Sequence, residues 1–173
     1  MELRAVESED LETFHRFEAD PGAARSAAFV PLDFADRRAF DLRWSLRLRM
    51  PQVRVRTVVA GDEVAGYVTS FPGTSLPGGD PHERPEVREI SYWVGAGFRH
   101  KGVATAAVAV FLGEVGRDHL LARAAADNTG SLIVLERNGF RTVRTVRSYS
   151  EWRGEWLDEV ELERPAGPAD VGA

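Results

Sequence analysis

The 173-residue sequence contains no cysteine. Disulfides, thiolate nucleophiles and zinc sites with Cys ligands are therefore excluded. Histidine is scarce: His15, His82, His100 and His119 show none of the paired spacing that metal ligation uses, and no metal is expected. Lysine is scarcer still, with Lys101 alone against 21 arginines. Acidic residues are interspersed along the chain and the net charge is −5, which argues against a basic face for nucleic acid. No run approaches the ~20 apolar residues of a membrane helix. The opening Met1-Glu2-Leu3-Arg4 lacks the basic start and apolar stretch of a secretory signal. These absences lead to the expectation of a cytoplasmic protein with no membrane and no nucleic-acid partner.

What is present suits one folded unit. Hydrophobic residues make up 43% of the chain, enough for a single sizeable core. The reading is one domain over residues 1–164 and a flexible tail rich in Pro, Gly and Ala over 165–173. Residues 3–6 read as a first strand. Ser8-Glu9-Asp10 reads as a helix start, with a Ser cap and carboxylates in the first turn. Leu11, Phe14 and Phe17 line one face of that helix, and Pro21-Gly22 is expected to stop it. Asp33 is expected to cap a second helix reaching Arg49, with Phe40, Trp44 and Leu48 on one face. Strands follow at 53–60, 64–71 and 87–94, the first two joined by a tight turn at Gly61-Asp62. Residues 72–85, rich in Gly and Pro, read as a loop. An amphipathic helix over 102–115 leads to a strand at 120–126. A helix at 128–138 closes on Gly139, and strands at 140–150 and 156–163 end the domain. The order is β-α-α-β-β-β-α-β-α-β-β, an α/β (α+β) class with a mixed, mostly antiparallel central sheet flanked by helices.

The chemistry concentrates in two segments. In the first, the strand ending Tyr92-Trp93-Val94 runs through Gly95-Ala96-Gly97-Phe98 into Arg99-His100-Lys101-Gly102-Val103-Ala104-Thr105, which opens a helix. Small residues at Gly102 and Ala104 admit a ligand close to the backbone. The first N–H groups of a helix lack intrahelical partners and sit at its positive end, so a diphosphate is well accommodated there. Arg99 and Lys101 add positive charge. A Walker loop is absent, and a dinucleotide fingerprint fails because His100 occupies the third glycine position. The second segment runs from Asp127-Asn128-Thr129-Gly130-Ser131 to Asn138-Gly139-Phe140.

Together these segments resemble the GNAT superfamily of N-acetyltransferases. Arg99-x-x-Gly102-x-Ala104 is similar to its pyrophosphate loop. Asn128-x-x-Ser131 with Asn138-Gly139-Phe140 is similar to its second CoA-contacting helix. Tyr92-Trp93-Val94 stands in the place of the splayed strand whose backbone pairs with pantetheine. The resemblance covers residues 2–163 and is densest from Glu89 to Phe140. Within the superfamily, Ile90-Ser91-Tyr92-Trp93, Ser131 and Trp156-Leu157-Asp158-Glu159-Val160 resemble the branch that acetylates ribosomal-protein N-termini at alanine or serine.

The resemblance implies acetyl-CoA as co-substrate, held by Tyr92, Trp93, Val94, residues 99–105, Asn128 and Ser131. It implies direct attack by a primary amine, on a protein N-terminus or a small molecule, in a ternary complex. Glu89, at the head of the central strand, is the expected base acting through water, with Glu86 and Glu83 as fallbacks. Many relatives protonate the departing thiolate with a tyrosine whose place here is taken by Leu135, which leaves Ser131 as the expected donor and Tyr149 as a distant alternative. Asn128 fits either a pantetheine contact or a helix cap. Phe40, Trp44, Phe71 and Trp93 fit either an acceptor mouth or the core. A non-catalytic acetyl-CoA sensor is the competing class of function. Monomer and homodimer are both compatible with the sequence.

Overall fold

The computed structural model describes residues 1–73, 87–116 and 118–166. Among the described residues seven strands form one sheet: β1 (Glu2–Arg4), β2 (Arg54–Ala60), β3 (Glu63–Pro72), β4 (Val87–Val94), β5 (His119–Ala125), β6 (Arg141–Ser150) and β7 (Glu155–Arg164). Their spatial order is β1-β2-β3-β4-β5-β7-β6. Every neighbouring pair is antiparallel except β4 with β5. The expected mixed, mostly antiparallel sheet is therefore found. Five α-helices among the described residues accompany it: α1 (Asp10–Glu18), α2 (Pro21–Ala27), α3 (Arg37–Arg49), α4 (Val103–Val115) and α5 (Thr129–Arg137).

Strand alternation divides the core in two. On β3, Val68 joins one buried cluster and its neighbour Tyr67 joins the other, so the clusters lie on opposite faces of the sheet. The larger one packs Val108 and Phe111 of α4 and Leu135 of α5 against Leu120 and Leu162, all essentially inaccessible to solvent. The smaller one joins Phe14, Phe40, Trp44 and Tyr67 beneath α1 and α3. Phe14 and Trp44 rings lie 4.9 Å apart, and Trp44 and Tyr67 meet edge to face at the same separation. Phe40 and Trp44 are thus core residues, whereas Phe71 and Trp93 are only partly buried.

Three local expectations change. Pro21-Gly22 opens a helix instead of ending one: Asp20 caps α2 by accepting from the Gly22 N–H, and Pro21, which has no N–H to waste, occupies the first turn. The cap of α3 is Asp36, which accepts from Ala39 N–H at 2.8 Å, while Asp33 pairs with Arg43. Ser8 does not cap α1, whose start has no side-chain cap. The helix start is held instead by Asp10, a nearly inaccessible carboxylate that takes two 2.7 Å bonds from Arg4, one from the Glu7 N–H and one from Thr57 Oγ1. Asp10 therefore ties β1, α1 and β2 together. Burial pushes its pKa up, and these hydrogen bonds outweigh burial and hold it below the ordinary carboxylate value.

No helix among the described residues is long and apolar enough to cross a membrane. The expected loop falls mostly, and the expected tail largely, outside the described residues.

Candidate active site

The site begins where a ladder ends. The parallel pairing of β4 with β5 covers only Val87↔His119, Arg88↔Leu120 and Glu89↔Leu121. Beyond it a cleft of about 720 Å³ opens, with Tyr92, Trp93 and Val94 on one side and 127–131 on the other. From Ile90 onward the β5-facing edge of β4 has no strand partner among the described residues, and the backbone groups there are available to a ligand that lies along it.

Two glycines set the course of that edge. Gly66 on β3 pairs with Val94, and a Cβ on Gly66 would sit 1.9 Å from the Trp93 carbonyl oxygen. Only glycine admits this approach. Gly95 follows directly, donating its N–H to Ala65 O at 2.9 Å, and a Cβ there would strike the Phe17 ring at 2.5 Å. The Trp93 indole donates to Phe17 O at 3.0 Å. The end of β4 is thereby fixed between β3 and the end of α1.

A 3-10 turn at Ala96–Phe98 then leads to two left-handed residues, His100 at φ 59° and Gly102 at φ 77°. Gly102 begins α4, and Ala106 N–H is the first to bond back, to Gly102 O at 3.0 Å. The N–H groups of Val103, Ala104 and Thr105 therefore have no intrahelical acceptor. All three residues line the cleft, and no acidic side chain stands in this first turn. These unpaired donors at the positive end of a 13-residue helix, with Arg99 beside them, fit a diphosphate.

The opposite wall is the start of α5. Asn128 is its cap: Oδ1 accepts from the Ser131 N–H at 3.1 Å, and the Nδ2 group has no partner among the described residues. The residue thus caps the helix and still has donors for a ligand amide. Ser131 Oγ lies 2.8 Å from the Tyr92 hydroxyl. Asn138, at the far end of α5, donates from Nδ2 to Val134 O at 2.8 Å and Thr105 O at 3.2 Å, which ties α5 to the first turn of α4. Gly139 takes the left-handed conformation at φ 83°, and Phe140 enters the core.

Most of the sequence-derived binding residues meet here. Tyr92, Trp93, Val94, Arg99, His100, Gly102, Val103, Ala104, Thr105, Asn128 and Ser131 all border the one cleft. Lys101 is exposed on the turn and outside its lining. Glu89 is also outside the lining. It sits at the last paired position of β4, on the same side of the strand as Trp93, and Arg123 Nη1 donates to it at 3.2 Å. Its side chain is 16% exposed. Burial raises its pKa above the ordinary value of 4.5, Arg123 opposes that rise, and Glu159 and Glu161 add to it. Leu135 is buried in the main core and offers the cleft nothing. Tyr149 stacks edge to face on Trp156 at 5.6 Å, half exposed and away from the cleft. Glu83 and Glu86 lie outside the described residues. No cluster of three or more His, Cys, Asp or Glu suited to a metal occurs among the described residues.

Other lining residues have no counterpart in the sequence reading. α2 contributes Arg25 and Ser26, and the turn between β6 and β7 contributes Arg153. Arg153 donates to Asp127 Oδ2 at 2.6 Å and from Nε to Arg25 O at 2.8 Å, with its side chain only 4% exposed. These partners lie 26 and 128 residues away, beyond the reach of any local motif. Gly66 was detectable, since an isolated glycine inside a strand pattern marks a close backbone approach.

Comparison with known proteins agrees with this geometry. A family model described as acetyltransferase (GNAT) domain matches residues 1–141. Compared by sequence with curated proteins, the chain matches none. Among solved structures, a ribosomal-protein-alanine N-acetyltransferase from Brucella melitensis aligns with a TM-score of 0.77 at 20% identity, over 95% of this chain and 99% of that one. A phosphinothricin acetyltransferase from Sinorhizobium meliloti, in complex with acetyl-CoA, aligns with a TM-score of 0.73 at 17% identity, over 99% of this chain and 91% of that one. RimL, a ribosomal-protein alpha-N acetyltransferase in complex with coenzyme A, aligns with a TM-score of 0.75 at 16% identity, over 95% and 93% of the two chains.

Proposed function

The chain belongs to the GNAT acetyltransferase family, and from that premise we propose that it transfers the acetyl group of acetyl-CoA to a primary amine, by direct attack in a ternary complex. The amine belongs to a protein N-terminus or a small molecule. The observation that carries this reading is the convergence of the turn before α4, the unpartnered edge of β4 and Ser131 on one cleft.

Acetyl-CoA supplies the activated carbonyl as a thioester. The N–H groups of Val103, Ala104 and Thr105 hold the diphosphate, with Arg99 adding charge. The open edge of β4 and Asn128 Nδ2 meet the pantetheine amides. Backbone N–H groups on that edge are placed to polarise the thioester carbonyl. Glu89 takes the proton of the amine through water, from the side of β4 that carries Trp93. Ser131 Oγ donates a hydrogen bond to the sulfur as the C–S bond breaks. Ribosomal-protein and phosphinothricin acetyltransferases both stand among the structures of like fold, and both acceptor classes belong to this reading. Fold likeness alone does not select an acceptor.

The burial of Leu135, where many relatives place a tyrosine, favours a second reading as an acetyl-CoA sensor without turnover. One experiment separates the two. Release of CoA is followed with peptide N-termini, lysine peptides, polyamines and aminoglycosides as acceptors. Release that depends on at least one amine class is the expected result. Binding of acetyl-CoA with no release across the panel would overturn the enzyme reading and support the sensor.

A further inference from the structure

Tyr92 entered the sequence reading only as a strand residue whose backbone meets the ligand. Its side chain does something else. It crosses from β4 to the start of α5, and its hydroxyl lies 2.8 Å from Ser131 Oγ and 3.2 Å from Ser131 O. Both residues border the cleft. Tyr92 packs against the main core, and burial pushes its phenol up to about 12, with the Ser131 hydrogen bond opposing that rise. The phenol is therefore neutral at working pH and always has one proton to give.

Each hydroxyl carries one proton, and only one proton can occupy the line between the two oxygens. Two arrangements follow. In one, Tyr92 donates to Ser131 Oγ, and the serine proton must turn away from Tyr92, toward the cleft. In the other, Ser131 donates to Tyr92, the phenol proton goes to Ser131 O, and the serine shows the cleft only lone pairs. Negative charge growing on a sulfur in the cleft favours the first arrangement over the second, which offers it no donor.

We propose that Tyr92 is the positioning residue for departure of the thiolate: by donating to Ser131 Oγ it aims the serine proton at the sulfur. This rests on the acetyl-transfer reading above. In the step, the amine nitrogen bonds to the carbonyl carbon and the C–S bond breaks with its electron pair left on sulfur. The thiolate accepts the Ser131 hydrogen bond, and the proton lost by nitrogen passes to water or Glu89. Tyr92 keeps its proton throughout, so nothing else is consumed.

The test compares the wild type, Tyr92→Phe, Ser131→Ala and the double variant. Two quantities are measured on each: kcat with the best amine, and the pH at which the thiol of bound CoA ionises, followed by thiolate absorbance. Tyr92→Phe should lower kcat about tenfold while acetyl-CoA affinity stays within about twofold, and it should raise the ionisation pH of bound CoA. Added to Ser131→Ala, it should change neither quantity further, since its effect runs through that hydroxyl. Equal ionisation of CoA on the wild type and Tyr92→Phe would overturn the proposal, as would independent effects of the two substitutions. The CoA titration requires no turnover. If no amine supports acetyl transfer, the enzyme reading fails, while the titration still decides whether Tyr92 acts on the sulfur through Ser131.

Discussion

Glu89 is raised in pKa by its surroundings and yet salt-bridged, and the two facts belong together. Burial disfavours its charge, Glu159 and Glu161 add to that, and Arg123 at 3.2 Å opposes the rise. A base needs to be unprotonated, so the rate should fall as pH falls through the raised pKa, at a higher pH than an ordinary glutamate gives. Glu89→Gln should remove that limb and lower kcat at neutral pH by about 10²–10⁴-fold. Part of the loss should return at high pH, where the amine arrives neutral: an α-amino group does so above roughly pH 8. Stability should move the other way. A carboxyl group with a raised folded-state pKa binds its proton more tightly folded than unfolded, so its contribution is lost as pH rises from about 4.5 through the raised value. The neutral Gln should therefore melt no lower than the wild type at pH 7. A variant whose pH–rate profile follows the wild type would reduce Glu89 to a structural partner of Arg123.

At the scale of elements, the course of β4 beyond its pairing with β5 is set by β3. Gly66 lets the Trp93 carbonyl come within a distance that no side chain allows. Gly66→Ala would push back the Trp93 carbonyl, which faces β3, and with it the strand whose other side is the open edge. The expected cost is roughly 1–3 kcal/mol in stability, from overpacking against rigid backbone. Acetyl-CoA affinity should fall as well, in protein that remains folded. An unchanged affinity, measured by calorimetry well below the melting temperature, would mean the edge of β4 is not a binding element. This pairing also shows what was legible in the sequence. The turn before α4 and the Asn138-Gly139-Phe140 ending of α5 were readable because their hydrogen bonds and left-handed residues lie within a few positions of each other. The roles of Asp10, Gly66 and Arg153 were not, because each depends on atoms brought together only by the sheet order. The start of α2 was misread for a different reason: Pro-Gly both ends and begins helices, and the deciding signal was Asp20 just before it.

For the whole molecule, the central claim is that one cleft, framed by β4, α4 and α5, holds acetyl-CoA with its diphosphate against the start of α4. The family match, with acetyl-CoA-bound and CoA-bound structures among those of like fold, supports acetyl-CoA as the co-substrate. Gly102 offers a direct probe of it. The residue is left-handed at φ 77°, and a Cβ there would meet nothing within 4 Å. Asn and Asp both tolerate this conformation better than other side chains, and they differ from each other by a single negative charge. Calorimetric titration of acetyl-CoA into Gly102→Asn and Gly102→Asp therefore isolates the electrostatics of the turn from its backbone. The Asp variant should bind about tenfold more weakly than the Asn variant, about 1.4 kcal/mol, at equal melting temperature. The gap should narrow as salt rises. Equal affinity of the two variants would contradict the placement of the diphosphate, and with it the central claim.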